Sequence, residues 1–375
     1  MNNKMGENDF EKKGELEKKL QLSLRGDGKI RGINVEADNL AEASYRAILQ
    51  CYKKAIRTET PKHKSGGSLG FDANMTITVL NPDSEPKICS PAMVEDPRGI
   101  VQYILEVTHG IHNHWKKDKE HPLRWGYTYN ERFVDQLPFV FKRIKAEWDE
   151  RMNQWGKGIG RISGRDYHPT IWRAGEDIIL EQEDPPCWQT AQIRFLLNDK
   201  GKLVMNYQTH WRSRDLFKAW NENNIAQIEL MKLIRDKVSD MLGVPIELGS
   251  YIDHSDSLHL YGMYIDKDGL EEKIKTMRKI GCEASSMGLQ DYLSFGGGSE
   301  QLKALIYAQS LAEKDGYGLN MPENFLKEKG YSLNVYPKEW NTYPNNWNLE
   351  PDISKLARVP KESLITRLLQ KLKLI

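Results

Sequence analysis

Apolar and polar positions alternate along this chain in two periods, one helical and one strand-like. From Leu40 the residues Ala43, Tyr45, Ile48, Leu49 and Tyr52 follow helical spacing, and ANMTITVL then alternates as a half-buried strand does. RGIVQYILEVTHGIHNHW predicts a helix ending near Gly110, and VDQLPFVFKRIKAEW a second amphipathic helix with Pro138 in its early part. TAQIRFLL and KLVMNYQTHW predict two strands around the tight-turn signal NDKG. In NNIAQIELMKLIRDKVSDMLG the residues Ile225, Ile228, Met231, Ile234 and Val238 share a helix face, with Gly243 as the stop. GSYIDHSDSLHLYGMYI reads as a further strand with a polar interruption. TETPKHKSGGSLG and GKGIGRISGRDYHPT read as loops, the second exposed and flexible. Beyond Lys267 come a charged helix, the glycine-rich SFGGGSE, the Trp- and Pro-rich YPKEWNTYPNNWNLEP and a basic amphipathic SLITRLLQKLKLI. Strands interleaved with helices predict an α+β fold with a mixed sheet flanked by helices. The expected organisation is a flexible tail over 1–35, a main domain over 36–266 and a C-terminal extension of unknown role over 267–375.

Composition narrows the function classes. The chain has 375 residues and a net charge of +1, so no global basicity points to nucleic acid. No apolar run approaches the roughly 20 residues that cross a bilayer, and the charged N-terminus lacks a signal-peptide core. Cys51, Cys89, Cys187 and Cys282 are widely spaced without a CxxC pair, which argues against a thiolate zinc site and for reduced thiols in the cytoplasm. No metal, nicotinamide or haem signal is present.

One of those thiols has an unusual setting. In DPPCWQTAQIRFLL, Cys187 follows two prolines and precedes a strand-like run, a stiff turn suited to a nucleophile at a sheet edge. Four stretches in order, RWGYTYNERF, DPPCWQTAQIRF, HWRSRDLFKAWNENNIAQIELMKLI and SDSLHLYG, together resemble the thymidylate synthase family. The Pro-Cys, the Arg212-Ser213-Arg214-Asp215 run, Asn223 at the family's distance from Arg212, and His259-Leu260-Tyr261 carry the likeness. YTYNER and DPPC look most similar to the archaeal-type branch, and pyrimidine nucleotide hydroxymethylases are relatives. The resemblance implies a thymidylate synthase-like sheet, an obligate homodimer packed sheet to sheet, a pyrimidine nucleoside monophosphate as substrate, and 5,10-methylenetetrahydrofolate or a tetrahydromethanopterin analogue as one-carbon donor.

The chemistry asks for these residue types. Pyrimidine C5 is a poor nucleophile until a thiolate adds to C6, and a guanidinium beside the cysteine lowers its pKa. Cys187 is thus the expected nucleophile, with Arg212 lowering its pKa and binding phosphate. Asn223 offers donors and an acceptor to the O4 and N3–H edge of uracil, where an Asp would suit cytosine better. By resemblance, Ser213 assists at the phosphate, His259 and Tyr261 hold the ribose hydroxyl, Asp215 faces the pterin, and Tyr129 helps remove the C5 proton. Strict register puts Tyr103 where the family has its catalytic Glu; Glu106, one turn on, is the expected substitute. Arg165 stands for the arginine the partner subunit contributes, and Lys64 for the phosphate-loop arginine. Each residue also has a plainer reading: Cys187 as a small buried hydrophobe, Arg212 as a surface ion pair, Asn223 or Asn224 as a helix N-cap, His259 and Tyr261 as a hydrogen-bond network, Asp215 as a salt bridge to Arg214, and Tyr129 as packing. Three functions stay open: thymidylate synthesis from dUMP, hydroxymethylation of dUMP, dCMP or CMP, and nucleotide binding without turnover.

Overall fold

The computed structural model describes residues 26–59, 67–92, 96–115, 126–155, 162, 164–179, 184–314, 328–329 and 335–352. Its strands are β1 (Gly32–Ala37), β2 (Ile56–Thr58), β3 (Gly70–Val79), β4 (Ile88–Cys89), β5 (Trp188–Leu197), β6 (Leu203–Trp211), β7 (Arg214–Asp215), β8 (Ile246–Leu260) and β9 (Ser286–Met287). The main sheet runs β1-β3-β8-β6-β5, with β2 on β3 and β7 on β8. Parallel pairs (β1 with β3, β6 with β8) alternate with antiparallel ones (β3 with β8, β5 with β6), so the sheet is mixed and the fold is α+β.

Strand alternation makes the sheet two-sided. In β6, Leu203, Met205, Tyr207, Thr209 and Trp211 are buried, while Val204, Asn206, Gln208 and His210 are only half-buried. In β3, Ala73, Met75, Ile77 and Val79 are buried, with Asn74, Thr76 and Thr78 between them. Helices Leu40–Lys54 and Trp220–Leu242 cover the buried face. Among the described residues no helix covers the other face. Register shifts interrupt the ladders near Asn74, Asn206 and Gln189, bulges that steepen the local twist.

The expected elements lie where the periods put them, with shifted ends. Helix Pro97–His109 has Asp96 as N-cap and stops at Gly110, whose φ of 63° is the left-handed cap conformation. The helix expected over VDQLPFVFKRIKAEW is Leu137–Trp155, with Pro138 at its start, where its missing N–H is not needed, and a separate short helix, Tyr129–Val134, precedes it. Helix Trp220–Leu242 begins before the periodic run and is buried all round from Trp220 to Ile228, as a helix in the centre of a core is. The polar stretch of β8 is no interruption. Asp253 and Ser255 point into the core, and His254 and Asp256 onto the open face.

Two expectations need correction. Gly32–Val35, placed in the flexible tail, pair with β3, because Ile33 and Val35 reach the core from an edge strand whose other positions are polar. The end of the GKGIGRISGRDYHPT loop is only partly exposed: Arg165, Asp166 and His168 are, but Ile162 and Tyr167 are buried, and Gly164 lies so close to β5 that a Cβ would be 2.4 Å from the Ile193 carbonyl oxygen.

The C-terminal segment shares one apolar core with the sheet. Helix Leu270–Ala284 buries Leu270, Ile274 and Met277, and helix Ser299–Lys314 packs Leu302 and Ile306 near Pro97–His109. Trp347 is buried 5.9 Å from the Phe141 ring. The basic amphipathic stretch at the C-terminus lies outside the described residues. No helix among the described residues is long and apolar enough to cross a membrane.

Candidate functional site

Cys187 is half-buried where the Pro185–Pro186 turn enters β5. Its carbonyl oxygen accepts the Arg212 backbone N–H at 2.8 Å, tying the start of β5 to the end of β6. The Arg212 guanidinium folds back on the same turn: Nε donates to the Pro186 carbonyl at 3.1 Å and Nη2 to that of Pro185 at 2.6 Å. Asp184 lies 3.9 Å from it. Behind stands a second guanidinium, Arg214, buried and ion-paired to buried Asp253, 4.1 Å over the Trp211 ring, and donating to Asn224 Oδ1 at 3.1 Å. Tyr129 opens the short helix Tyr129–Val134. Its hydroxyl is near enough to the Cys187 thiol to lower that group's pKa, and the Cys187 and Trp188 backbone and Tyr127 in turn favour the charged form of Tyr129.

The electrostatics run against one expectation. Arg212 does lower the Cys187 pKa, and Arg214 and the Tyr129 hydrogen bond add to this. Burial outweighs all three, and with help from the Asp184 charge it holds the thiol above its ordinary value. The ligand-free thiol is therefore protonated at neutral pH. The other cysteines lack such surroundings. Cys51 and Cys89 are fully buried, and burial pushes the Cys89 thiol up to about 12.

Tyr261 joins the group. Burial first, then the charges of Asp215 and Cys187, raise its hydroxyl to about 12. The His259 ring meets Tyr261 edge-on at 4.5 Å, and its Nδ1 is 3.4 Å from Ser257 Oγ. Asp215 is no salt bridge to Arg214. Its Oδ1 accepts the Phe217 and Lys218 backbone N–H groups at 2.9 and 3.1 Å, and its Oδ2 accepts the Tyr264 hydroxyl. Neither asparagine is an N-cap: Ala219 is, which places Asn223 and Asn224 inside the first turns. Asn224 is absorbed by Arg214 and by Tyr251, whose hydroxyl donates to it at 2.6 Å. The buried Asn223 side chain makes no hydrogen bond among the described residues.

No family model and no curated protein matches the chain. Among solved structures, thermostable thymidylate synthase A from Bacillus subtilis is similar, at 15% identity over 63% of this chain and 84% of that one, with a TM-score of 0.43. Identity that low leaves the chemistry to the side chains.

The remaining expected residues are unequally placed. Ser213 follows Arg212 between β6 and β7. Glu106 is engaged by His112 Nδ1 at 2.6 Å and by Gln102 Nε2 at 3.0 Å, and its charge still reaches Tyr103. Arg165 is exposed and its carbonyl faces Gln192 on the open side of β5; no contact among the described residues joins it to Cys187. Lys64 lies outside the described residues.

Burial brings two more residues forward, of which only Glu222 was not anticipated. Tyr103 is raised well above its ordinary value by burial, then by the charges of Tyr129, Glu222 and Glu106. Glu222 is a buried carboxylate in the first turn of the central helix, beside Asn223. It lies just ahead of the periodic apolar run and reads as a solvated helix start. Only its burial next to Tyr103 marks it as a candidate acid.

Proposed function

We propose that this chain is a one-carbon transferase acting at C5 of a pyrimidine nucleotide, dUMP first, through a covalent bond between Cys187 Sγ and C6. The observation that carries the reading is the setting of Cys187: Arg212 is hydrogen-bonded to its carbonyl and folds its guanidinium onto the turn that holds it, and Arg212, Arg214 and Tyr129 all act to lower the thiol pKa.

In this reading Arg212 exchanges the Pro185 and Pro186 carbonyls for the nucleotide phosphate, with Ser213 beside it, and so couples phosphate binding to the turn that carries the thiol. Asn223 takes the O4 and N3–H edge with an amide that makes no hydrogen bond among the described residues. His259 and Tyr261 take the ribose hydroxyl. Tyr129, near the Cys187 thiol, lies where protons leave the thiol and C5, and Glu222 or Glu106 supplies the carboxylate for the far side of the ring. The reduced pterin provides the one-carbon unit and, for a methyl product, the hydride. Asp215 suits it because a carboxylate has about four acceptor positions, and three protein donors hold it here. We also propose that the open sheet face pairs with a second copy, bringing Arg165 to the partner's phosphate.

The test is intact mass after incubation with 5-fluoro-dUMP and methylenetetrahydrofolate. A ternary covalent adduct, absent in Cys187→Ala, is expected. Mass spectrometry of the products from dUMP, dCMP and CMP then separates dTMP from a hydroxymethyl nucleotide. Nucleotide binding without adduct would make the chain a binding protein, and a product from cytosine alone would overturn the role of Asn223. Sedimentation of an active monomer would overturn the sheet-to-sheet dimer.

A further inference from the structure

We propose that His210, His254 and Asp256 form a binding site for one divalent transition-metal ion of the zinc class on the open face of the sheet. This goes beyond the Cys187 reading and does not rest on it, since the site lies on the opposite face of β6 from Trp211.

The site is built by strand register. β6 and β8 are parallel neighbours, and His210 and His254 are direct Cα partners in that pairing. Their side chains therefore leave the same face side by side, with ring centroids 5.0 Å apart. Asp256 is two residues past His254, so it returns to that face. Its carboxylate faces both rings: Oδ2 is 2.9 Å from His210 Nε2 and Oδ1 is 3.2 Å from His254 Nε2. The ligating atoms of all three residues lie within 4.8 Å of one another. Bonds of roughly 2.0–2.2 Å in a tetrahedral site need ligand atoms about 3.3–3.6 Å apart, so small rotations of half-exposed side chains suffice.

A neighbouring strand prepares the ring. Thr76 of β3 places Oγ1 2.8 Å from His254 Nδ1, and Asn74 Nδ2 is 3.4 Å from Nε2. Metal ligation needs the Nε2 lone pair, hence the proton on Nδ1, and a threonine hydroxyl can accept it there. In the alternative metal-free tautomer the same hydroxyl would donate to Nδ1 and Nε2–H would bond the carboxylate. Binding thus exchanges hydrogen bonds at Asp256 for metal bonds, and any proton on a charged imidazole is released to solvent. Two imidazoles and one carboxylate are a borderline set that favours zinc, cobalt or nickel over magnesium or calcium, which prefer oxygen. The fourth position faces outward, open to water or to a group from whatever covers the sheet. Cysteine spacing gives no sign of this site, because His210 is distant along the chain from His254 and Asp256 and meets them only through strand register.

The test uses the full chain, stripped with EDTA and dialysed, titrated with zinc chloride by calorimetry and with cobalt chloride by visible absorption. We expect one zinc per chain at a Kd in the micromolar range or tighter, a rise in Tm with zinc, and a cobalt d–d band. His210→Gln, which removes a half-exposed ring, should weaken zinc at least tenfold with the metal-free Tm unchanged. Asp256→Asn should do the same, and Cys187→Ser should leave affinity intact. No binding at 100 µM zinc, or full affinity in the His210→Gln/His254→Gln double variant, would overturn the proposal.

Discussion

Removing the Asp253 carboxylate should be among the most damaging single changes in this chain. Asp253 is fully buried and receives the guanidinium of Arg214, whose side chain is 2% exposed. It also accepts the Trp220 indole N–H at 2.9 Å and the Thr209 hydroxyl at 3.1 Å. Asp253→Ala leaves a buried cation without its counter-charge and takes an acceptor from Trp220, Thr209, Tyr251 and Ser255. Breaking one partner of a buried pair costs about 3–5 kcal/mol, a large share of the roughly 5–15 kcal/mol that stabilises a typical protein. The double variant Arg214→Met/Asp253→Leu removes both charges at similar volume and should recover at least about 1 kcal/mol of that loss. Urea denaturation with linear extrapolation, at unchanged slope, measures both. Arg214 also lowers the Cys187 pKa, so the double variant should alkylate more slowly at fixed pH although it is more stable than the single. A single variant within about 1 kcal/mol of the parent, or a double variant no more stable than the single, would refute the buried-pair account.

Iodoacetamide should modify Cys187 slowly near neutral pH, the rate climbing about tenfold per pH unit up to the thiol pKa; a plateau below the ordinary thiol range would contradict the burial-dominated shift. By linkage, a raised thiol pKa stabilises the fold below the unfolded value, and that stability is lost as pH rises through the folded one; Arg212→Gln should move the midpoint further up. Asn223→Asp should shift preference from dUMP toward dCMP by at least about tenfold in kcat/KM, since amide and carboxyl present opposite edges to the base; unchanged preference removes Asn223 from base reading. Glu222→Gln should lower kcat about 100-fold or more with nucleotide affinity little changed; equal loss in both would assign it to packing. At Gly262 a Cβ would lie 1.6 Å from the Ser68 carbonyl oxygen, so Gly262→Ala should cost about 1–3 kcal/mol in a denaturant melt.

Local periods and punctuation were legible in the sequence because their causes are local. The alternation of ANMTITVL, the helical spacing before Gly110 and Gly243, and the NDKG hairpin each follow from side-chain direction and backbone conformation within a few residues. Of the stretches singled out around Cys187, those carrying Cys187 and Arg212 meet in the structure, where the Arg212 backbone N–H donates to the Cys187 carbonyl; Lys64 lies outside the described residues and Arg165 is exposed on the open side. What only tertiary structure decided depends on burial and on contacts between distant segments. The sign of the Cys187 shift is a contest between desolvation and two arginines, and only burial says which wins. Glu222 became a candidate because it is enclosed beside Tyr103, and Asp215 proved to hold a turn and Tyr264 rather than Arg214. His210, His254 and Asp256 became neighbours through the pairing of β6 with β8. A sequence records which groups are present and their local conformational preferences; their charges and partners depend on which water they lose and which strand lies beside them.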